Sequence, residues 1–123
     1  MEVNAADFIY TNLLTNIPRV VQRRLRDEAT RMALEDQLNN RFLVPSYINH
    51  ARKRPVLDFM GLSDVPLKNI IVRYKESKMP IVKYFAERHA INLVELELPA
   101  IMTWGDTTQY FPPELVYVFT SLD

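Results

Sequence analysis

The spacing of apolar residues at the start of the chain predicts one short strand followed by a longer helical segment. Residues 3 to 14 hold a short apolar run that fits a first strand or a helical turn, and we favour the strand. From Pro18 to about Asn39, apolar residues recur every three or four positions, which predicts an amphipathic helix, either unbroken or in two parts. Pro18 suits the first turn of that helix.

The middle of the chain is richer in β-prone residues. Residues 41 to 49 and 55 to 60 flank a basic stretch, and this pattern predicts a hairpin. Residues 67 to 74 predict a third strand, and the polar turn after them leads to Pro80, which opens a helix. The order predicts a strand-strand-helix module inserted between outer elements.

The last third of the chain returns to a strand pattern. Residues 91 to 98 predict a strand, and residues 100 to 111 predict a hairpin because Gly105 and Asp106 supply turn chemistry. The apolar segment 114 to 119 closes the chain as a helix or a strand. The whole pattern predicts an α+β fold with a small, mostly antiparallel barrel or sheet.

The composition excludes several classes of function. The 123 residues are enough for one domain, and the 48% of apolar residues can fill its core. Fifteen Lys and Arg balance fifteen Asp and Glu, so a polyanionic ligand must be met by a local patch. The absence of cysteine excludes disulfides and thiolate sites, and only two glycines leave no phosphate-binding glycine loop. No run of about 18 apolar residues predicts a membrane span.

Catalysis finds little support in the sequence. A nucleophile and base pair would need a serine such as Ser46 or Ser77 beside His50 or His89, and no elbow or triad spacing surrounds them. Two histidines alone also lack the further partners that a metal site requires. We therefore expect a protein that is not an enzyme and uses neither a metal nor a cofactor.

Binding is better supported, by residues on the helix that follows Pro80. Tyr84 and Arg88 are four residues apart and share a helix face, with His89 one position further round. Tyr110 and Phe111 meet that face if the last hairpin folds back. Aromatic rings stack on bases while Arg, His and Tyr hydrogen-bond phosphate, which is how proteins grip single-stranded nucleic acid. The competing interpretation is that these aromatic residues simply fill the core.

Two segments resemble the PAZ domain of Argonaute and Piwi proteins. KYFAERHAINL, followed by a polar hairpin and QYFPPELVYVF, is similar to the C-terminal half of that domain, and SYINHARKRPVLDFMGLS is similar to an earlier PAZ hairpin. The resemblance covers roughly residues 41 to 119 and is carried by the order and spacing of short motifs. It implies an OB-like barrel with an inserted αβ module at about residues 46 to 90. It also implies that residues 1 to 123 are a single PAZ-like domain excised from a larger Argonaute-family protein.

The resemblance further implies a cleft that holds the 3′ end of a small guide RNA. The resemblance implies that the terminal phosphodiester is held by His50, Tyr84, Arg88 and His89. It places Tyr110 and Phe111 beside the terminal nucleotide. Two aliphatic residues, Leu57 and Ile71, stand where the family has aromatic ones, which implies weaker stacking or a differently shaped pocket. The implied RNA site comprises His50, Arg54, Leu57, Ile71, Tyr84, Arg88, His89, Tyr110 and Phe111.

The resemblance therefore implies a non-catalytic, intracellular domain for RNA-mediated gene silencing, in the cytoplasm or the nucleus. Its expected partners are the 3′ end of a single-stranded small RNA and the remaining domains of the larger protein, with no membrane and no metal. The alternative, motivated by Leu57 and Ile71, is a PAZ-like module with a degenerate pocket that serves as a structural or protein-interaction domain. A Dicer PAZ domain would carry an additional basic insertion that this sequence lacks.

Overall fold

The computed structural model describes residues 2–47, 56–105 and 108–119, and the predicted α+β class is confirmed. Its elements follow one another as β1 (Glu2–Asn4), α1 (Ala5–Asn12), α2 (Pro18–Leu25), α3 (Glu28–Asn39), β2 (Phe42–Pro45), β3 (Phe59–Pro66), β4 (Ile71–Tyr74), β5 (Ser77–Pro80), α4 (Ile81–His89), β6 (Pro99–Thr103), β7 (Gln109–Phe111) and β8 (Val116–Phe119). Short 3₁₀ turns at Leu67–Asn69 and Pro113–Leu115 precede β4 and β8.

The strands form three antiparallel sheets. One sheet has the order β1-β8-β2, the second has the order β3-β6-β7, and the third is the β4-β5 hairpin. Within the described residues these ladders do not join into a closed barrel. The first two sheets instead share one hydrophobic core with α1, α2 and α3, and we call this assembly the body.

The first helix replaces most of the strand predicted over residues 3 to 14, so that prediction is wrong. The side chain of Asn4 accepts a hydrogen bond from the Ala6 amide at 2.9 Å, which is the N-cap contact that starts a helix. Phe8 and Ile9 then lie in the core of the body. A short apolar run fits a helix or a strand equally well, and the cap decides between them.

The predicted long helical segment is confirmed as two helices. Pro18 is the first residue of α2, and Asp27 interrupts the segment by capping α3 through hydrogen bonds from the amide and hydroxyl of Thr30. The carboxylate of Glu35 on α3 accepts a hydrogen bond from the Leu62 amide at 2.8 Å, which fixes the helix on β3. A side chain at Gly61 would meet that carboxylate at 2.8 Å, so glycine permits the approach.

The predicted hairpin between residues 41 to 49 and 55 to 60 is wrong for the residues that the structure describes. β2 pairs with β8, and β3 pairs with β6. A hydrogen bond from the Leu57 amide to the Leu43 carbonyl, at 2.7 Å, still holds the two segments side by side. Leu43 and its partner Val118 are both buried, so the distant strand offers β2 an apolar surface that the local sequence does not reveal.

Residues 67 to 98 lie between the paired strands β3 and β6 and contain β4, β5 and α4. We call this segment the module. It has its own core, with Leu67, Ile81 and Phe85 at its centre. Ala100 on β6 belongs to the same core, and Tyr47 and Tyr110 pack against it, so the module is attached to the body by apolar contacts.

The predicted strand over residues 91 to 98 is wrong, because this segment has no ladder partner among the described residues. One carboxylate oxygen of Glu114 accepts hydrogen bonds from the amides of Val94 and Glu95, both at 2.8 Å. The Leu98 carbonyl accepts from the Leu67 amide at 2.9 Å. A side chain and a turn thus satisfy backbone groups that a ladder would otherwise bind. The hairpin predicted over residues 100 to 111 is confirmed by the pairing of β6 with β7.

We expect Glu114→Ala to lower the free energy of unfolding by about 1.5 kcal/mol, because the amides of Val94 and Glu95 lose a charged acceptor. Glu114→Gln should recover part of this loss, since its amide oxygen can still accept. Urea denaturation measures the change, with Asp36→Ala on the exposed surface of α3 as the control expected within about 0.5 kcal/mol of wild type. Equal stability of Glu114→Ala and the control would contradict the assigned role.

We expect Ala90→Gly to raise the free energy of unfolding by about 0.5 to 1 kcal/mol. Ala90 ends α4 in the left-handed conformation, with φ 56° and ψ 36°, which glycine adopts without strain. The control is Ala86→Gly, at an exposed position inside the same helix, which should lower stability by about 1 kcal/mol. Two changes of the same sign in thermal or urea unfolding would refute the expectation for Ala90.

Candidate functional site

A cleft of about 790 Å³ lies between the body and the module. Its volume falls within the range of pockets that enclose a small ligand, roughly 300 to 1,000 Å³. Both parts of the protein supply its walls. The body contributes Pro45, Tyr47, Leu57, Thr108, Gln109, Tyr110 and Phe111, and the module contributes Ile71, Val72, Arg73, Tyr84, Phe85 and His89.

Helix α4 brings three ring-bearing side chains to the cleft. Its buried residues are Ile81 and Phe85, which are four apart and anchor one face in the core of the module. Tyr84 and His89 flank that buried face, so each is partly buried and reaches the cleft wall. The helix begins directly after Pro80, as the sequence predicted.

The rings on the cleft wall pack against one another across the junction of body and module. Tyr47, just after β2, lies 5.7 Å from Phe85 and 4.9 Å from His89 between ring centroids. Phe85 lies 5.3 Å from both Tyr84 and His89. Most of these contacts are edge-to-face or tilted, the arrangement that aromatic pairs favour. The four rings form one cluster that joins body and module at the cleft wall.

Tyr47 is a neutral hydrogen-bond donor on this wall. Burial raises the pKa of its phenol above the ordinary value, and the neighbouring Tyr84 phenol raises it further. Both causes disfavour the phenolate. The hydroxyl of Tyr47 therefore keeps its proton throughout the physiological pH range and suits an anionic or carbonyl acceptor.

The charge of the cleft wall is one-sided. Arg73 and His89 are its basic residues, and no Asp or Glu is among the described residues that line it. A wall with fixed positive charge and no carboxylate attracts an anion, even in a protein with zero formal net charge. The cleft therefore offers the local positive charge that a polyanionic ligand would need in a protein of balanced composition.

The cleft brings together six of the nine residues that the sequence predicted for the site, namely Leu57, Ile71, Tyr84, His89, Tyr110 and Phe111. Arg88 is partly buried on α4, and it is not part of the described cleft lining. His50 and Arg54 lie outside the described residues. The two aliphatic replacements, Leu57 and Ile71, both form part of the wall, one from the body and one from the module.

Several lining residues were missed by the sequence analysis. Arg73 is two residues after Ile71 on β4, so strand alternation places both on one face, and this spacing could have revealed it. Tyr47 and Phe85 lie within the two segments that resemble the PAZ domain but were not assigned to the site, because their position on the cleft wall depends on the contact between body and module. The remaining missed residues are Pro45, Val72, Thr108 and Gln109.

Tyr74 does not replace an aromatic wall of the cleft. Its ring packs edge-on against Tyr84, with 5.3 Å between ring centroids, and the ammonium of Lys75 lies 5.4 Å from the centroid of the Tyr74 ring. Tyr74 therefore supports Tyr84 from behind and does not face the ligand space.

A second cavity of about 270 Å³ lies between α2, α3 and the strands β3 and β6, and two of its charged residues have protein partners. Glu97 at its edge accepts hydrogen bonds from Lys68 and Gln22, which lower the pKa of its carboxyl. Arg31 lies 4.0 Å from Glu35.

In the described residues, no group of three or more His, Cys, Asp or Glu could hold a metal ion. No helix in that part of the chain is both long and apolar enough to cross a membrane.

We expect Phe85→Leu to lower the free energy of unfolding by about 2 kcal/mol, because a ring that is only 2% exposed loses its contacts with Tyr47, Tyr84 and His89. Phe42→Leu is the matched control, since Phe42 on β2 is 54% exposed and should tolerate the change within about 0.5 kcal/mol. Urea unfolding followed by fluorescence measures both. Equal losses would show that the ring cluster does not hold the junction.

No protein-family model matches the sequence, and no curated protein matches it either. Solved structures do match. A Drosophila Ago PAZ domain in complex with 3′-end 2′-O-methylated RNA is 19% identical with a TM-score of 0.72, covering 97% of this chain and 99% of that one. A structure concerning nucleic acid binding of the Drosophila Argonaute2 PAZ domain is 20% identical with a TM-score of 0.66, covering 93% of this chain and 96% of that one. A second structure of that domain, concerning 3′-end recognition of nucleic acids, is 19% identical with a TM-score of 0.64, covering 97% of this chain and 95% of that one. This chain has the fold of the Argonaute PAZ domain.

Proposed function

We propose that this chain binds the 3′ end of a single-stranded small RNA in the cleft between body and module, as a non-catalytic PAZ-type domain. The observation that carries the proposal is the cleft wall itself, which combines aromatic side chains and two basic residues with no carboxylate in its described part. The similar Drosophila PAZ domains, whose structures concern RNA and nucleic acid 3′ ends, support the same ligand class.

The terminal phosphodiester is the group that the helix α4 suits best. The hydroxyl of Tyr84 and the imidazole of His89 can donate to phosphate oxygens, and Tyr47 adds a neutral phenol from the opposite side of the junction. Arg88 on the same helix supplies further positive charge. His50 and Arg54, proposed from the resemblance alone, complete the set of phosphate ligands.

The terminal nucleotide is proposed to lie against the last hairpin. Tyr110 and Phe111 of β7 offer ring surfaces on the body side, and Leu57 and Ile71 offer apolar surface for a sugar or base. Phosphate and apolar surface are common to all four nucleotides, so the site should read the end of a strand and little of its sequence.

The wider role we propose is anchoring a guide RNA for gene silencing inside the cell, in the cytoplasm or the nucleus. In this proposal residues 1 to 123 are one domain of a larger Argonaute-family protein, and the other domains of that protein supply any catalysis. The inserted αβ module expected at about residues 46 to 90 differs in its bounds from the module defined here as residues 67 to 98. The proposed role does not depend on this difference, because the cleft requires only that α4 and β4 face the body.

One observation favours a second candidate function. Ile71 is 54% exposed at the edge of the cleft, where it presents apolar surface in place of an aromatic ring. A cleft with two aliphatic walls could serve as a structural or protein-interaction surface after its RNA-binding capacity has degenerated. The binding test below separates this alternative from the first proposal.

We expect the wild-type protein to bind a short single-stranded RNA with a free 3′ hydroxyl at micromolar concentration or better, and a 3′ phosphate or the change Tyr84→Phe to weaken binding by more than about tenfold. Neutralising about three phosphates predicts that the logarithm of the association constant falls with the logarithm of the salt concentration at a slope near −2, which we call the salt slope. A fluorescence anisotropy titration measures these affinities.

Tyr117→Phe is the matched control, because Tyr117 lies on β8 and does not line the cleft. The substitution also removes one tyrosine hydroxyl, so it should leave binding unchanged. Equal affinity for free and blocked ends in every variant, or no RNA binding at all, would refute end anchoring and favour the interaction module.

A further inference from the structure

The β4-β5 hairpin places two cations directly opposite each other. Arg73 on β4 pairs in register with Lys78 on β5. Directly opposite residues of an antiparallel pair project from the same face, with Cβ atoms roughly 5 Å apart, and like charges in that position repel each other. Both side chains are exposed. The pairing weakens the hairpin unless an anion lies between the two charges.

No such anion is supplied by the part of the protein that the structure describes. Its ion pairs are Arg31 with Glu35, Lys68 with Glu97 and Lys83 with Glu87, and neither Arg73 nor Lys78 takes part in one. The nearest acid along the chain is Glu76 in the turn between β4 and β5, which is also exposed and unpaired among these residues. The two charges therefore remain available to an external ligand.

The pair lies at the edge of the cleft. Arg73 lines the cleft together with Ile71, which is two residues earlier on the same face of β4. Lys78 shares that face through its pairing with Arg73 but does not itself line the cleft. The positive charge therefore continues from the wall of the cleft outward onto the hairpin.

The third cation of the hairpin is oriented differently. The ammonium of Lys75 lies 5.4 Å from the ring centroid of Tyr74, on which it makes a cation–π contact. Its charge is thus engaged by the protein, and Lys75 is not part of the cleft lining. Lys75 differs from Lys78 in this contact while sharing its charge, its hairpin and its exposure.

We propose that Arg73 and Lys78 together bind backbone phosphate of the RNA strand just before the nucleotides held in the cleft. This proposal rests on the proposed function, and it adds a phosphate site on the module side that sets the direction in which the strand leaves. A phosphate between the two side chains removes their repulsion, and the guanidinium and ammonium donate hydrogen bonds to its oxygens. The contact reads charge and carries no base specificity.

The test compares wild type, Lys78→Gln, the double variant Arg73→Gln/Lys78→Gln and the control Lys75→Gln in binding a single-stranded RNA of about ten nucleotides. One phosphate contact on a single strand contributes about 0.7 to the salt slope, so the double variant should bind about fivefold more weakly in about 0.1 M salt and approach wild type near 1 M. The magnitude of its slope should be smaller than that of wild type by about 0.7. Lys75→Gln should match wild type.

A dinucleotide RNA gives an independent measurement, because it is too short to reach beyond the cleft. Lys78→Gln should leave its affinity within about twofold while weakening the longer strand about three- to fivefold, because Arg73 alone holds the shared phosphate less well. The unfolding midpoint of the double variant should not fall below that of wild type, since the change removes a like-charge pair.

The outcomes separate this proposal from the function on which it rests. If wild type binds RNA and Tyr84→Phe weakens binding while the double variant keeps the wild-type affinity and salt slope, the phosphate site is refuted and end anchoring stands. If Lys75→Gln loses as much affinity as Lys78→Gln, the effect is one of net charge and the site is likewise refuted. If wild type binds no RNA, both proposals fall.

Discussion

The packing of Phe85 against Tyr47 is the contact on which the site depends. Phe85 belongs to the core of the module, while Tyr47 follows directly after a strand of the body. The module is joined to the body through β3 and β6 and by hydrogen bonds at Glu95 and Glu97, and the ring contact at 5.7 Å joins the two parts at the cleft wall. His89, which contacts both rings, is held at the cleft wall by the same packing. The same apolar packing thereby also positions the polar groups of Tyr47 and His89 at the cleft wall.

A protein with zero formal net charge has a cationic cleft because the described lining holds Arg73 and no carboxylate. The carboxylates near the junction accept hydrogen bonds that hold the fold together: Glu35 from the Leu62 amide, Glu95 from the Tyr10 hydroxyl, Glu97 from Gln22 and Lys68, and Glu114 from two backbone amides. Each of these contacts lies away from the cleft lining. The composition cannot predict this separation of acids from the cleft, because only the folded chain shows which charged residues lie close together.

The elements that the sequence predicted well are those determined by neighbours in the chain. Helix α4 follows from Pro80 and its apolar spacing, and the β6-β7 hairpin follows from a turn between two β-prone arms. The elements that were predicted wrongly depend on distant partners, as where β2 pairs with β8 and where Glu114 replaces a ladder for residues 91 to 98. The site divides in the same way. Tyr84 and His89 could be found from helix spacing, whereas Tyr47 gains its role only when body and module meet.

Most aromatic residues of the cleft pack against one another, which leaves less ring surface for stacking with a ligand. Tyr84, Phe85 and His89 present edges and tilted faces to one another, while two positions that could have offered free rings are Leu57 and Ile71. An aliphatic wall provides contact area but lacks the stacking contribution of about 1 to 3 kcal/mol per base. The proposed RNA binding therefore draws more of its free energy from phosphate contacts, which are strong at low salt and weaken as salt rises. In the proposed RNA complex, the exposed cations beside Ile71 supply charge at the edge of the cleft, where Leu57 and Ile71 supply no ring for stacking.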